Sequence, residues 1–325
     1  MADPSPAPAI KVTGLRKSFG EHLVLDGVEL DVEPGTVFAL LGQNGAGKTT
    51  IIRILATLLE PDQGEIRVAG HDVAHEAEAV RGVIGVTGQF SAVDDLLTGR
   101  ENLALMADLN HLGRAESGRR IGDLLDRFEL TDAADRLVAT YSGGMRRRLD
   151  LAMTLIGAPQ IIFLDEPTTG LDPRSRRTMW DIVRSLAGEG ITVFLTTQYL
   201  DEADRLADQI AILDHGRLVA QGSSQELKQR IPGGRIDLRF ADAPGRLAAA
   251  GALDVPLRED DALTLHIPTD GNVATLRRVL RELDDAAIDV VDLAIHTPDL
   301  DDVFFALTGR EDRLALSEVE EEIHR

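Results

Sequence analysis

Gly42-Gln43-Asn44-Gly45-Ala46-Gly47-Lys48-Thr49 carries the full pattern G-x-x-x-x-G-K-T, and its neighbours supply the right context. A strand-like run, Thr36-Val37-Phe38-Ala39-Leu40-Leu41, precedes it. An apolar helical run follows through Ile51, Ile52, Ile54, Leu55, Leu58 and Leu59. Glycines let backbone N–H groups curl around phosphate oxygens without Cβ clashes. A helix starting here points its positive dipole end at the same anion. Lys48 would reach the β- and γ-phosphates, and the Thr49 hydroxyl would ligate Mg²⁺. The phosphate-binding set on this stretch is Gly42, Asn44, Gly45, Ala46, Gly47, Lys48, Thr49 and Thr50.

A second element completes the site. Ile161-Ile162-Phe163-Leu164 reads as a buried strand that ends in Asp165-Glu166. Asp165 would hold Mg²⁺ through water, and Glu166 is placed to polarise an attacking water. A third element, Tyr141-Ser142-Gly143-Gly144-Met145, puts a cap and two glycines at a helix start. That makes a second anion site. One phosphate group needs one such loop. A second loop suggests a nucleotide sandwiched between two copies of the domain.

With these three elements in order, the chain resembles the ATP-binding subunits of ABC transporters over roughly residues 1–225. Ser18-Phe19-Gly20, Leu97-Thr98-Gly99-Arg100-Glu101-Asn102 and the run from Thr196 to Asp204 look most like the ATPases of daunorubicin/doxorubicin-resistance-type exporters. The resemblance implies an α/β P-loop cassette with a mostly parallel sheet, an antiparallel β subdomain and a helical subdomain. It implies ATP and Mg²⁺ as ligands, hydrolysis as the activity, a second copy of the ATPase and a separate integral-membrane permease as partners. It implies a place at the cytoplasmic face of the cell membrane. Residue by residue, Phe19 matches the aromatic that stacks on adenine. Gln89 matches the glutamine that contacts Mg²⁺ and the membrane subunit, and residues 90–102 match the groove for that subunit's cytoplasmic helix. Asp172, in Leu171-Asp172-Pro173, matches the loop that links two ATP sites. Gln198 stands where the family usually has histidine, and Met145 where it usually has glutamine. Glutamine can still hydrogen-bond a γ-phosphate but cannot carry a positive charge. A soluble ATPase uncoupled from transport, a transporter ATPase for another substrate, a non-catalytic nucleotide sensor and an importer are the alternatives. Lys48, Asp165 and Glu166 weigh against the sensor.

The rest of the chain sets bounds. No apolar run approaches 18 residues, so no transmembrane helix is expected. Residues 1–9 read as a disordered leader, without the basic and apolar regions of a signal peptide. With no cysteine, disulfides and thiolate metal sites are excluded. A net charge of −21 argues against nucleic acid as a partner and against adsorption to anionic lipid.

Residues 10–33 read as antiparallel strands turning at Gly20. Residues 98–158 read as the helical subdomain, with Leu124, Leu125, Phe128 and Leu130 as its core. Arg146-Arg147-Arg148 reads as a solvated helix face. The cassette is expected over 10–230, ending near Pro232-Gly233-Gly234. A small α+β module for regulation or assembly follows over 231–310, with His266 and His296 standing alone. An acidic tail closes the chain over 311–325.

Overall fold

The computed structural model describes residues 7–88, 92–230, 234–257, 263–269, 273–296 and 298–308. The chain forms two compact units, Met1–Ser224 and Gln225–Arg325. In the first unit, β1 (Ile10–Phe19) and β2 (His22–Val32) form a hairpin around Gly20, whose φ is 62°. Then come β3 (Val37–Leu41), α1 (Lys48–Leu55), β4 (Gln63–Val68), the short β5 (His71–Asp72), α2 (Ala77–Val83) and β6 (Ile84–Thr87). The helical segment holds α3 (Gly99–Leu109), α4 (Arg114–Arg127) and α5 (Gly143–Leu155). The chain returns through β7 (Ile161–Asp165), α6 (Pro173–Gly188), β8 (Thr192–Thr197), α7 (Leu200–Leu206), β9 (Gln209–Asp214) and β10 (Arg217–Gly222). Next in the chain is α8 (Ser224–Gln229).

Two sheets result. One is antiparallel, ordered β2-β1-β4-β5, and the other is ordered β10-β9-β3-β8-β7-β6, parallel except for β10. This is the α/β cassette architecture that the sequence implies. β3 and β7 are buried at every position, because a parallel sheet with helices on its faces has no wet side. Phe38 stacks on Phe194 at 5.2 Å, and Phe194 meets Phe163 edge-on at 5.8 Å, so the three central strands share one aromatic core.

The helix after the glycine-rich loop is shorter than its apolar run. It ends at Leu55; Thr57 turns left-handed with φ 62°, and Leu58 is exposed. Part of the 97–102 phrase has a local cause. Thr98 and Glu101 form a reciprocal capping box at the start of α3, and buried Asn102 ties Asp94 to Thr98.

The second unit contains β11 (Arg235–Arg239), α9 (Ala243–Ala252), β12 (Thr264–Pro268), α10 (Val273–Asp285), β13 (Asp292–His296) and a helix over 300–308. Its sheet is ordered β12-β11-β13 and is antiparallel throughout. Ile236, Leu238, Leu265 and Ile267 face a core closed by Ala249, Val279 and Leu283. The alternate residues point the other way, as period-2 strands require. There the two histidines do not stand alone. His266 Nδ1 lies 2.6 Å and His296 Nε2 3.3 Å from the Asp237 carboxylate, because β11 runs between their strands. Burial opposes ionisation of Asp237, yet His266 and Arg235 hold its carboxyl below the usual range. Residues 1–6, residues 231–233 of the boundary and the tail from 309 lie outside the described residues.

Candidate functional site

The ends of adjacent parallel strands gather the chemistry. β3 leads into Gly42, β8 into Gln198 and β7 into Glu166, and the sheet order makes these three strands neighbours. Gly42 N donates to Thr197 O at 3.3 Å, and Glu166 N donates to Thr196 O at 3.2 Å. Such a crevice at the C-terminal strand ends is where open α/β sheets bind ligands.

Two glycines of the loop are demanded by space. A Cβ on Gly42 would lie 2.5 Å from Leu213 O. One on Gly47, at φ 109°, would lie 2.7 Å from Leu25 Cδ2. Gln43, Asn44 and Gly45 are exposed, while Ala46 and Lys48 are buried. Thr50 is half-buried. Lys48 Nζ donates to Gly42 O at 2.8 Å and Gln43 O at 3.0 Å, and lies 3.5 Å from Glu166 Oε1. Burial pulls its ammonium below the usual lysine range, while Glu166 and Asp165 pull it back. A buried cation with spare attraction for anions is suited to a phosphate group.

Thr49 Oγ1 donates to Asp165 Oδ2 at 2.9 Å, and Thr196 Oγ1 donates to Asp165 Oδ1 at 2.6 Å. Hydroxyl and carboxylate oxygens are the donor types a hard cation takes. Among the described residues no group of three His, Cys, Asp or Glu could hold a metal on its own. Water and the oxygens of a bound phosphate are the ligands that would complete the shell of an ion here. Glu166 has φ 48°, uncommon for a non-glycine residue, and its Oε2 accepts from Thr169 Oγ1 at 3.2 Å.

Ser142 caps α5, its side chain accepting from Met145 N at 3.3 Å. Ser142 and Gly143 are exposed, and a Cβ on Gly144 would come within 2.5 Å of Ser175 Oγ. Among the described residues no hydrogen bond joins Ser142–Gly144 to residues 42–49 of the same chain. Phe19 is 48% exposed at the end of β1, so it is no core residue. Asp172 accepts from Arg174 N, Ser175 N and Ser175 Oγ as the cap of α6. The Ser175 hydroxyl and the backbone donors hold its carboxyl below the usual range. Gln198 is half-buried just beyond β8. Gln89 lies outside the described residues.

Three polar residues packed around these elements escaped the sequence reading. Thr196 orients Asp165, but a threonine closing a strand carries no signal of that. Glu202 is fully buried on α7; its Oε1 accepts from Thr168 Oγ1 at 2.8 Å and Trp180 Nε1 at 3.0 Å, and burial pushes its carboxyl upward. The third is Arg147, and here the expected solvated arginine face is wrong. Arg146 pairs with Asp95 at 2.6 Å, and Arg148 donates to Phe128 O at 2.9 Å. Arg147 turns inward to backbone carbonyls. The interior has carbonyls to satisfy there, and only the folded chain reveals them.

A family model described as ABC transporter matches residues 25–169. The daunorubicin resistance ATP-binding protein DrrA3 of Streptomyces coeruleorubidus is 51% identical over 310 residues, spanning 94% of this chain and 98% of that relative. The daunorubicin/doxorubicin resistance ATP-binding protein DrrA of Streptomyces peucetius is 47% identical over 327 residues, spanning 98% of each. A solved ATP binding subunit of an ABC transporter superposes with a TM-score of 0.62 at 30% identity, covering 68% of this chain and 92% of that one.

Proposed function

The chain belongs to the ABC transporter family of ATP-binding proteins, and from that premise we propose that it hydrolyses ATP to power export of a drug or natural product through a separate membrane permease. The observation that carries the reading is the convergence of Lys48, Asp165 and Glu166 at the ends of neighbouring strands. Lys48 and the loop N–H groups hold the phosphates. Glu166 takes the proton of the attacking water. Thr49 and, through water, Asp165 would hold Mg²⁺, with Gln89 as a further ligand, and the ion would supply positive charge beside the phosphates. Phe19 stacks on adenine. Ser142, Gly143 and Gly144 of a second copy close over the γ-phosphate, with Asp172 in the loop between the two sites. Closure assembles the site and hydrolysis releases it.

Among the described residues no helix is long and apolar enough to cross a membrane. The permease supplies the path, and the chain works at the cytoplasmic face of the membrane by docking on it. Leu96, 82% exposed between residues 92 and 102, belongs to that docking face. The test is Mg²⁺-dependent phosphate release by the purified chain, followed by drug efflux on co-expression with a permease. Phosphate release without any permease-dependent efflux would favour a soluble ATPase.

Gln198 supplies a neutral hydrogen bond to the γ-phosphate. Gln198→Ala should slow turnover roughly 10- to 100-fold, the size of about 1.5–3 kcal/mol for a bond to a charged group. Gln198→His should stay active and gain pH sensitivity near ~6.5. A wild-type rate for Gln198→Ala at saturating Mg-ATP would make position 198 a mere strand end.

The second unit serves regulation or assembly. A chain ending at residue 230 should fold and bind ATP with unchanged affinity, since every nucleotide-binding residue precedes that point. Isothermal titration checks this, and loss of ATP binding would refute the division of labour.

A further inference from the structure

Glu166 stands on a left-handed backbone turn with φ 48°. A non-glycine residue held there is strained and persists only where its surroundings fix it. Two of the neighbouring carbonyls are gripped by a single side chain. Arg147 donates through Nη2 to Asp165 O at 3.0 Å and through Nε to Pro167 O at 2.9 Å, on either side of Glu166. Through Nη1 it also donates to Gly88 O at 2.8 Å and to Asp150 Oδ2 at 3.3 Å. The side chain is 11% exposed. Only a guanidinium offers a planar fork of this reach; lysine has a single nitrogen, and no uncharged side chain has enough donors.

We propose that Arg147 is a positioning residue for hydrolysis: its fork clamps the carbonyls of residues 165 and 167, holds the left-handed turn between them and so aims the Glu166 carboxylate. The inference rests on the reading of Glu166 as the group that takes the water's proton. Arg147 also sits on α5, whose first turn is capped by Ser142. The clamp therefore joins the helix facing one nucleotide to the base acting on the other. Its contact with Gly88 O ties in the segment leading to residue 89.

The test is a double-mutant cycle between positions 147 and 166, read by single-turnover hydrolysis and by ATP affinity. Arg147→Met keeps the stem and removes the fork. Arg147→Lys keeps a cation beside Asp150, so the pair separates loss of the clamp from loss of the charge beside that carboxylate. Both variants should bind ATP within about twofold of wild type and hydrolyse it roughly 10- to 100-fold more slowly, as expected for a misplaced reacting group. In the Glu166→Gln background neither should lower the residual rate further, because residues acting as a unit are non-additive. Full additive loss in that background would overturn the proposal. So would a wild-type rate for Arg147→Met, or loss of ATP binding in both variants, which would make Arg147 a folding residue. Wild-type hydrolysis by Glu166→Gln alone would remove the base assignment itself, and the proposal with it.

Discussion

Glu166→Gln should bind Mg-ATP and hydrolyse it roughly 10²- to 10⁴-fold more slowly, the contribution of a positioned general base. The substitution removes one proton acceptor and little else. The amide has the same length. The main-chain bonds from Glu166 N to Thr196 O and Thr196 Oγ1 do not involve the side chain. The amide oxygen can still accept from Thr169 Oγ1. Lys48 loses a carboxylate at 3.5 Å and keeps its bonds to Gly42 O and Gln43 O, so its charge is freer for phosphate. Binding should then be as tight as wild type or tighter. With hydrolysis blocked, the closed ATP-bound dimer should accumulate. Light scattering should show a doubled mass with Mg-ATP and a single mass with ADP. Normal phosphate release by this variant would overturn the choice of base, and an unchanged mass would overturn the sandwich dimer.

Lys48→Ala should abolish productive nucleotide binding. The lost charge-assisted contact weakens affinity by about 10- to 100-fold, from about 1.5–3 kcal/mol. A second loss adds to it. The ammonium donates to two loop carbonyls, and alanine leaves both without that donor. A buried acceptor deprived of its partner costs about 1–3 kcal/mol, so the loop itself should lose its shape. Glu166 and Asp165 would also lose the cation whose charge they attract, and their own negative charge would repel an incoming phosphate. Fluorescent-nucleotide titration reads the affinity, and a thermal melt reads the loop's share of stability. Affinity within about threefold of wild type would sink the phosphate-loop assignment, since it is smaller than any charged hydrogen bond predicts.

The parts of the site that were legible are those whose chemistry is done by consecutive residues. Gly42 to Thr49 wrap one anion with their own backbone, so their order along the chain is the binding geometry. Ser142 and its two glycines cap a helix by the same local logic. The apolar runs at 37–41 and 161–164 read as strands, because a parallel sheet with both faces covered leaves no polar alternation. From those, the cassette fold and its family could be named.

What only the tertiary structure decided are contacts between residues far apart in the chain. β8 inserts between β3 and β7, and that order is not the order of the sequence. It brings Thr196 onto Asp165, and Gly42 onto Thr197. The exposure of Phe19 at the end of β1 likewise depends on how the sheet packs. His266 and His296 looked solitary because strands pair across loops of unpredictable length; the pairing of β12 and β13 on either side of β11 brings them to Asp237. Three consecutive arginines looked like one solvated face, yet each found a different partner. A motif can be read where neighbouring backbone atoms do the work. Arg147 could not be, because its partners are carbonyls, and every residue has one; only the folded placement of α5 beside residues 88 and 165–167 decides which carbonyls lie within reach of its fork.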